Sequence, residues 1–105
     1  MNNKILTLLG FASKAGKLDF GMFKASEALK KNKSKLVVLA CDLSEKSKKE
    51  ILFFAHNKSV SVVTLEEVTI DTLSAAVGKK CGIISVNDEG FAASISKILG
   101  GCAHD

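Results

Sequence analysis

The chain contains no arginine: all fifteen of its basic residues are lysines. Arginine is the usual bidentate reader of guanine edges, so little base-edge reading by long basic side chains is expected. Tryptophan and tyrosine are absent as well, and six phenylalanines make up the whole aromatic content. A broad stacking platform for single strands is therefore not available. Proline is missing too, and the turns must rest on Gly, Asn, Asp and Ser. The three cysteines, Cys41, Cys81 and Cys102, are odd in number and widely spaced, without a C-x-x-C pair. That pattern supports neither a zinc site nor a disulfide framework, and a reducing cytoplasm is the expected compartment. No apolar run reaches the ~18 residues that a membrane span requires. The Ile5–Ala12 segment is too short for one and lacks a small-residue cleavage pattern, so it is not read as a signal peptide.

What remains is an ordinary globular composition. The 105 residues are 47% hydrophobic and 25% charged, with a net charge of +4. This length suits one domain, expected over residues 1–101, with 102–105 as a frayed tail. A modest positive excess favours a polyanionic partner without naming one.

The chain is organised around Ser13 to Ala40. Gly16 and Gly21 bracket a short extended piece, Lys17-Leu18-Asp19-Phe20. A helix follows, with Met22, Ala25 and Leu29 on a buried stripe and Lys24, Glu27 and Lys31 on another face. Leu36-Val37-Val38-Leu39-Ala40 is a continuous apolar run, as expected of a strand covered on both sides. A helix N-terminus attracts phosphate, and Lys14, Lys17 and Lys24 flank this one in sequence. The bland reading is a solvated lysine face. The Gly16–Gly21 spacing is not a nucleotide phosphate loop, because Met22 and Phe23 stand where Lys and Ser or Thr are needed.

Elsewhere the alternation continues. A first helix carries Ile5, Leu8, Leu9 and Ala12, capped by Asn2 or Asn3 and stopped at Gly16. A third helix is capped by Asp42 or Ser44, buries Ile51, Phe54 and Ala55, and ends at Asn57. Val60–Val63 alternates as a strand. A helix from Thr69 to Val77 stops at Gly78. Gly82–Val86 is the last strand. Asn87 or Asp88 caps a final helix that ends at Gly100-Gly101. Alternating helices and strands predict an α/β fold, one sheet with helices on both faces.

No catalytic constellation is visible. His56 and His104 have no evident nucleophile or orienting partner. Helix capping accounts for Glu66-Glu67 and Asp88-Glu89. Cys41 is either a reactive thiol or a buried inert one. Neither a cofactor nor a metal is expected.

The stretch Leu9-Gly10-Phe11-Ala12-Ser13-Lys14-Ala15-Gly16-Lys17-Leu18 resembles the small bacterial YlxQ-type members of the ribosomal protein superfamily that binds kink-turn RNA, the L7Ae and L30e group. Gly21, Lys31, Ser34–Ala40 and Asp42 resemble the core of that superfamily. Leu73-x-x-Ala76-Val77-Gly78-Lys79 and Asp88-x-Gly90-Phe91-Ala92 extend the similarity over about Ile5 to Leu99. The resemblance implies a three-layer α/β/α sandwich around a four-stranded mixed sheet. It also implies non-catalytic, cytoplasmic RNA binding by three loops, leading into the second, third and fourth helices. Ribosomal or other structured RNA is the implied partner, with the ribosome itself as the setting.

Candidate RNA contacts are Lys14, Lys17, Gly21, Met22, Phe23, Lys24, Glu27, Lys31, Ser44, Lys46, Val68 and Thr69. The family's Asn-Glu pair, and the Lys three residues on, match Phe23, Lys24 and Glu27, so the polar reader of sheared G·A pairs is replaced. Phe23 is then either a stacking residue or part of the core. The alternative function is a protein-interaction scaffold that kept the fold and lost specific RNA binding.

Overall fold

The computed structural model describes residues 2–103, and the side chains of Asn3 to Leu99. Nine elements alternate: α1 (Asn2–Lys14), β1 (Leu18–Phe20), α2 (Gly21–Lys30), β2 (Leu36–Ala40), α3 (Glu45–Asn57), β3 (Val62–Leu65), α4 (Ile70–Val77), β4 (Ile83–Val86) and α5 (Glu89–Ala103). The strands form one mixed sheet in the order β1-β4-β2-β3. β4 is antiparallel to both β1 and β2, while β2 and β3 run parallel.

Side-chain alternation along the strands builds two cores. On one face Leu36, Val38, Ala40, Ile84 and Val86 meet Ile5, Leu9, Leu73 and Ile95 of α1, α4 and α5. On the other face Val37, Leu39 and Ile83 meet Ala25, Leu29, Ile51 and Ala55 of α2 and α3. All five residues of β2 are buried, as its unbroken apolar run predicts. The result is the expected α/β/α sandwich around a four-stranded mixed sheet.

Four helices end in the same device, a left-handed residue whose successor bonds back to a free carbonyl of the last turn; in α4 it is Gly78 (φ 78°), with Lys79 N–H donating to the Ser74 carbonyl at 3.2 Å. Gly16 (φ 73°) does this for α1, with Lys17 N–H donating to the Ala12 carbonyl at 2.9 Å. Asn32 (φ 61°) does it for α2 and Ser59 (φ 56°) for α3. The last case shifts one expected boundary. α3 ends at Asn57, as expected, but Val60 N–H is still bonded to the Ala55 carbonyl at 3.0 Å. Pairing in β3 therefore begins at Val62, two residues later than the alternation suggested.

Other ends also differ. Asn3 lies inside α1, where its carbonyl accepts from the Thr7 hydroxyl. The side chain of Asn2 lies outside the described residues. α5 runs through Gly100-Gly101 to Ala103 instead of stopping there. Of the expected tail, Cys102 and Ala103 are helical, and His104 and Asp105 lie outside the described residues. Asp88 is the cap of α5, its Oδ2 accepting from Phe91 N–H at 3.0 Å.

Candidate functional site

β1, β2 and β3 all finish at one edge of the sheet, at Phe20, Ala40 and Leu65, and β4 begins there at Ile83. Each of the three parallel strands hands over to a helix whose N-terminus lies at this edge. Two of the connecting loops are tied together. Cys41 N–H donates to the Val68 carbonyl at 2.8 Å, and Asp42 Oδ1 accepts from Ile70 N–H at 2.8 Å. Asp42, one of the two expected caps of α3, instead serves the first N–H of α4. Ala40 N–H also donates to the Gly82 carbonyl at 3.0 Å, which joins the start of β4 to the same body.

The helix starts differ in one respect. Ser44 Oγ accepts from Ser47 N–H and caps α3, and Thr69 Oγ1 accepts from Thr72 N–H and caps α4. The residue before α2, Phe20, makes no side-chain cap. Among the described residues the first N–H groups of α2 are therefore without a side-chain acceptor, at the positive end of a ten-residue helix. Gly21 opens that helix at φ 88°, a conformation that strains any residue with a Cβ.

Around this uncapped start lie Phe23, 74% exposed, and Lys24, also exposed. Phe23 is not core. Lys79 Nζ sits 5.5 Å from the centroid of the Phe20 ring, beside Gly21. Lys79 carries no candidate role in the sequence reading. The available signal was the Lys79-Lys80 pair directly after the Gly78 helix stop, but only the strand order brings it to the turn before α2. The two tied loops carry Asp42, Glu45, Glu66, Glu67 and Asp71 against a single lysine, Lys46. Positive charge at this edge is thus concentrated on the α2 side.

The twelve candidate residues divide by location. Gly21, Met22, Phe23, Lys24, Ser44, Lys46 and Thr69 stand at this edge, with Met22 half-buried against the α2/α3 core. Glu27 lies a turn further along α2 and makes a 3.9 Å ion pair with Lys31. Val68 is brought to the edge, with its side chain 2% exposed and part of the core. Lys14, Lys17 and Lys31 are not brought to this edge. Lys17 begins the far end of β1, its carbonyl accepting from Asn87 N–H at 2.8 Å. At about 3.3 Å per residue it is about 13 Å from Gly21. Lys31 follows the last residue of α2, about 15 Å from the start of the helix.

The cysteines are also placed. Cys41 is exposed, which rules out the buried one of its two readings, and Cys81 is buried. Burial pushes the Cys81 thiol up, partly offset by the Ser74 hydroxyl and the Lys79 charge. Among the described residues no three His, Cys, Asp or Glu side chains cluster as metal ligands. No described helix is long and apolar enough to cross a membrane.

The model of the Ribosomal protein L7Ae/L30e/S12e/Gadd45 family matches residues 3–96. The chain belongs to this family. Among curated proteins, the "RNA-binding protein YlxQ" of Enterococcus faecium is 29% identical over 100 residues, 93% of either chain. A solved structure of a protein with unknown function from Bacillus halodurans C superposes with a TM-score of 0.85 at 28% identity. It covers 91% of this chain and 96% of its own. The Giardia lamblia 15.5kD RNA binding protein shares the fold, with a TM-score of 0.75 at 16% identity over 95% of this chain and 85% of its own. The three loops that the resemblance pointed to are the loops gathered at the C-terminal edge of this family member's parallel strands.

Proposed function

We propose that this family member is a non-catalytic, cytoplasmic RNA-binding protein, associated with the ribosome, that takes a kink-turn or similarly bent RNA at the edge where β1, β2 and β3 end. The observation that carries this reading is the uncapped start of α2, with exposed Phe23 and Lys24 in its first turn and Lys79 over the ring of Phe20, the residue before the helix. Backbone N–H groups and lysines supply phosphate contacts, which position an RNA without reading sequence. Phe23 offers a face on which one unstacked base can lie, worth about 1–3 kcal/mol. Phe23 and Lys24 replace the Asn-Glu pair of the resemblance, so base-edge reading of G·A pairs gives way to shape and stacking.

The test is a titration against three RNAs at about 150 mM salt: a kink-turn, the same RNA with its G·A pairs replaced, and a plain duplex. Tighter binding of the kinked RNA than of the duplex is expected. Equal binding of all three would overturn shape recognition. Failure to bind any would overturn RNA binding and leave the interaction-scaffold reading.

A further inference from the structure

The opposite edge of the sheet carries a second cluster of donors. α2 and α3 end there, and their left-handed stops at Asn32 and Ser59 turn the chain into the adjacent parallel strands β2 and β3. The two turns lie side by side, with Val37 N–H donating to the Ser61 carbonyl at 3.0 Å. Between them is a groove of about 340 Å³ lined by one apolar residue, Val60, and by Asn32, Ser34, Lys35, Lys58, Ser59 and Ser61. Ser34 is only 4% exposed, and its Oγ has no hydrogen-bond partner among the described residues. A buried hydroxyl left unsatisfied is unfavourable by about 1–3 kcal/mol.

Helix ends alone do not account for the lysines here. Two helix C-termini present together about one negative charge. Against it stand Lys30, Lys31, Lys33, Lys35 and Lys58. Lys30 lies over the Phe54 ring at 5.3 Å, and Lys31 pairs with Glu27 at 3.9 Å. Among the described residues no carboxylate pairs with Lys33, Lys35 or Lys58. The ammonium groups and hydroxyls lining the groove have protons to donate, so its occupant is rich in acceptors and negative. An open row of lysines along two turns suits successive phosphates of a backbone better than one enclosed ion.

We propose that this groove binds the phosphate backbone of a second RNA segment, so that the protein bridges two stretches of RNA. The molecule measures 29 × 27 × 26 Å, and its two surfaces lie at opposite ends of the strands, facing away from each other. The inference extends the RNA-binding reading above, and the test separates the two. Backbone amide shifts of the full chain are followed by NMR at about 50 mM salt with a 20-base-pair RNA duplex, and separately with tripolyphosphate. RNA-induced shifts are expected at Asn32–Lys35 and Lys58–Ser61 as well as at Gly21–Lys24. Replacing both exposed lysines, Lys35→Gln with Lys58→Gln, should flatten the log–log salt dependence of duplex binding by about 1.4–1.8. Between 50 and 200 mM salt the double variant should then lose about tenfold less affinity than the unaltered protein.

Shifts at the groove alone would uphold the groove as an RNA site and overturn both bridging and the α2 edge as the primary site. Shifts at the α2 edge alone, with an unchanged salt slope in the double variant, would overturn this inference and leave the earlier reading intact. Groove shifts with tripolyphosphate but none with RNA would overturn the RNA assignment in favour of a small phosphate compound.

Discussion

Replacing Phe23 with alanine separates a binding role from a folding role. About a quarter of the Phe23 surface is covered in the folded protein, since 74% is exposed. Full burial of a phenylalanine contributes roughly 1.5–3 kcal/mol, so the covered part accounts for about 0.4–0.8 kcal/mol. A core phenylalanine truncated to alanine would instead destabilise by about 3–5 kcal/mol. Loss of one base stack would weaken RNA binding by about 1–3 kcal/mol, a factor of roughly 5 to 150. The expected outcome is therefore a urea midpoint close to that of the unaltered protein, with kinked-RNA affinity reduced at least fivefold by fluorescence anisotropy. Phe23→Tyr keeps the ring face and should restore binding. Unchanged affinity in Phe23→Ala, or failure of tyrosine to rescue it, would refute the stacking argument. A stability loss above about 3 kcal/mol would refute the placement of the ring in solvent.

Lys24→Glu should weaken RNA binding, and Lys79→Gln should lower the salt slope by about 0.7–0.9 if its ammonium meets a phosphate; an unchanged slope would remove Lys79 from the site. Asp42→Ala removes the acceptor for Ile70 N–H and should lower stability by about 1 kcal/mol in urea unfolding, with no loss if the loop finds another cap. Val68→Ala should destabilise by about 2 kcal/mol through lost methyl burial and a small void, with RNA affinity unchanged in the folded fraction; a selective affinity loss would contradict its place in the core. In a Cys102→Ser background, iodoacetamide should modify exposed Cys41 and spare Cys81, whose thiol is buried and pushed up. Mass mapping of the adduct to Cys81 first would overturn that order.

Periodicity made the nine elements legible, because each helix has its own apolar stripe and β2 is apolar without interruption. The start of β3 was not legible, because Ser59 carries no side-chain mark of a left-handed stop, as glycine would. The site was readable only in part. Phe23 and Lys24 could be found from Gly21, since a tight turn and a helix start are local events. Lys14 and Lys17 are close to Gly21 in sequence, but three residues of β1 carry the chain across the sheet and put them at the other edge. Lys79 has the opposite history, distant in sequence and adjacent in space, because β4 inserts between β1 and β2. Val68 lies in a polar turn, and nothing local shows that its side chain faces inward while Glu66 and Glu67 face out.

The bonds from Cys41 to Val68 and from Asp42 to Ile70 splint two of the three loops at the proposed binding edge. Such an edge has little freedom to mould itself to a partner. Adjustment within the protein falls to the turn at Gly21, the one connection of the three that this splint does not include. The larger deformation is then left to the nucleic acid, and the energy needed to bend it becomes the means of selection. An RNA already bent meets this surface with its deformation complete, whereas a straight duplex must first be distorted. Discrimination can in this way reside in the stiffness of the partner, even where no side chain of the protein reads a base.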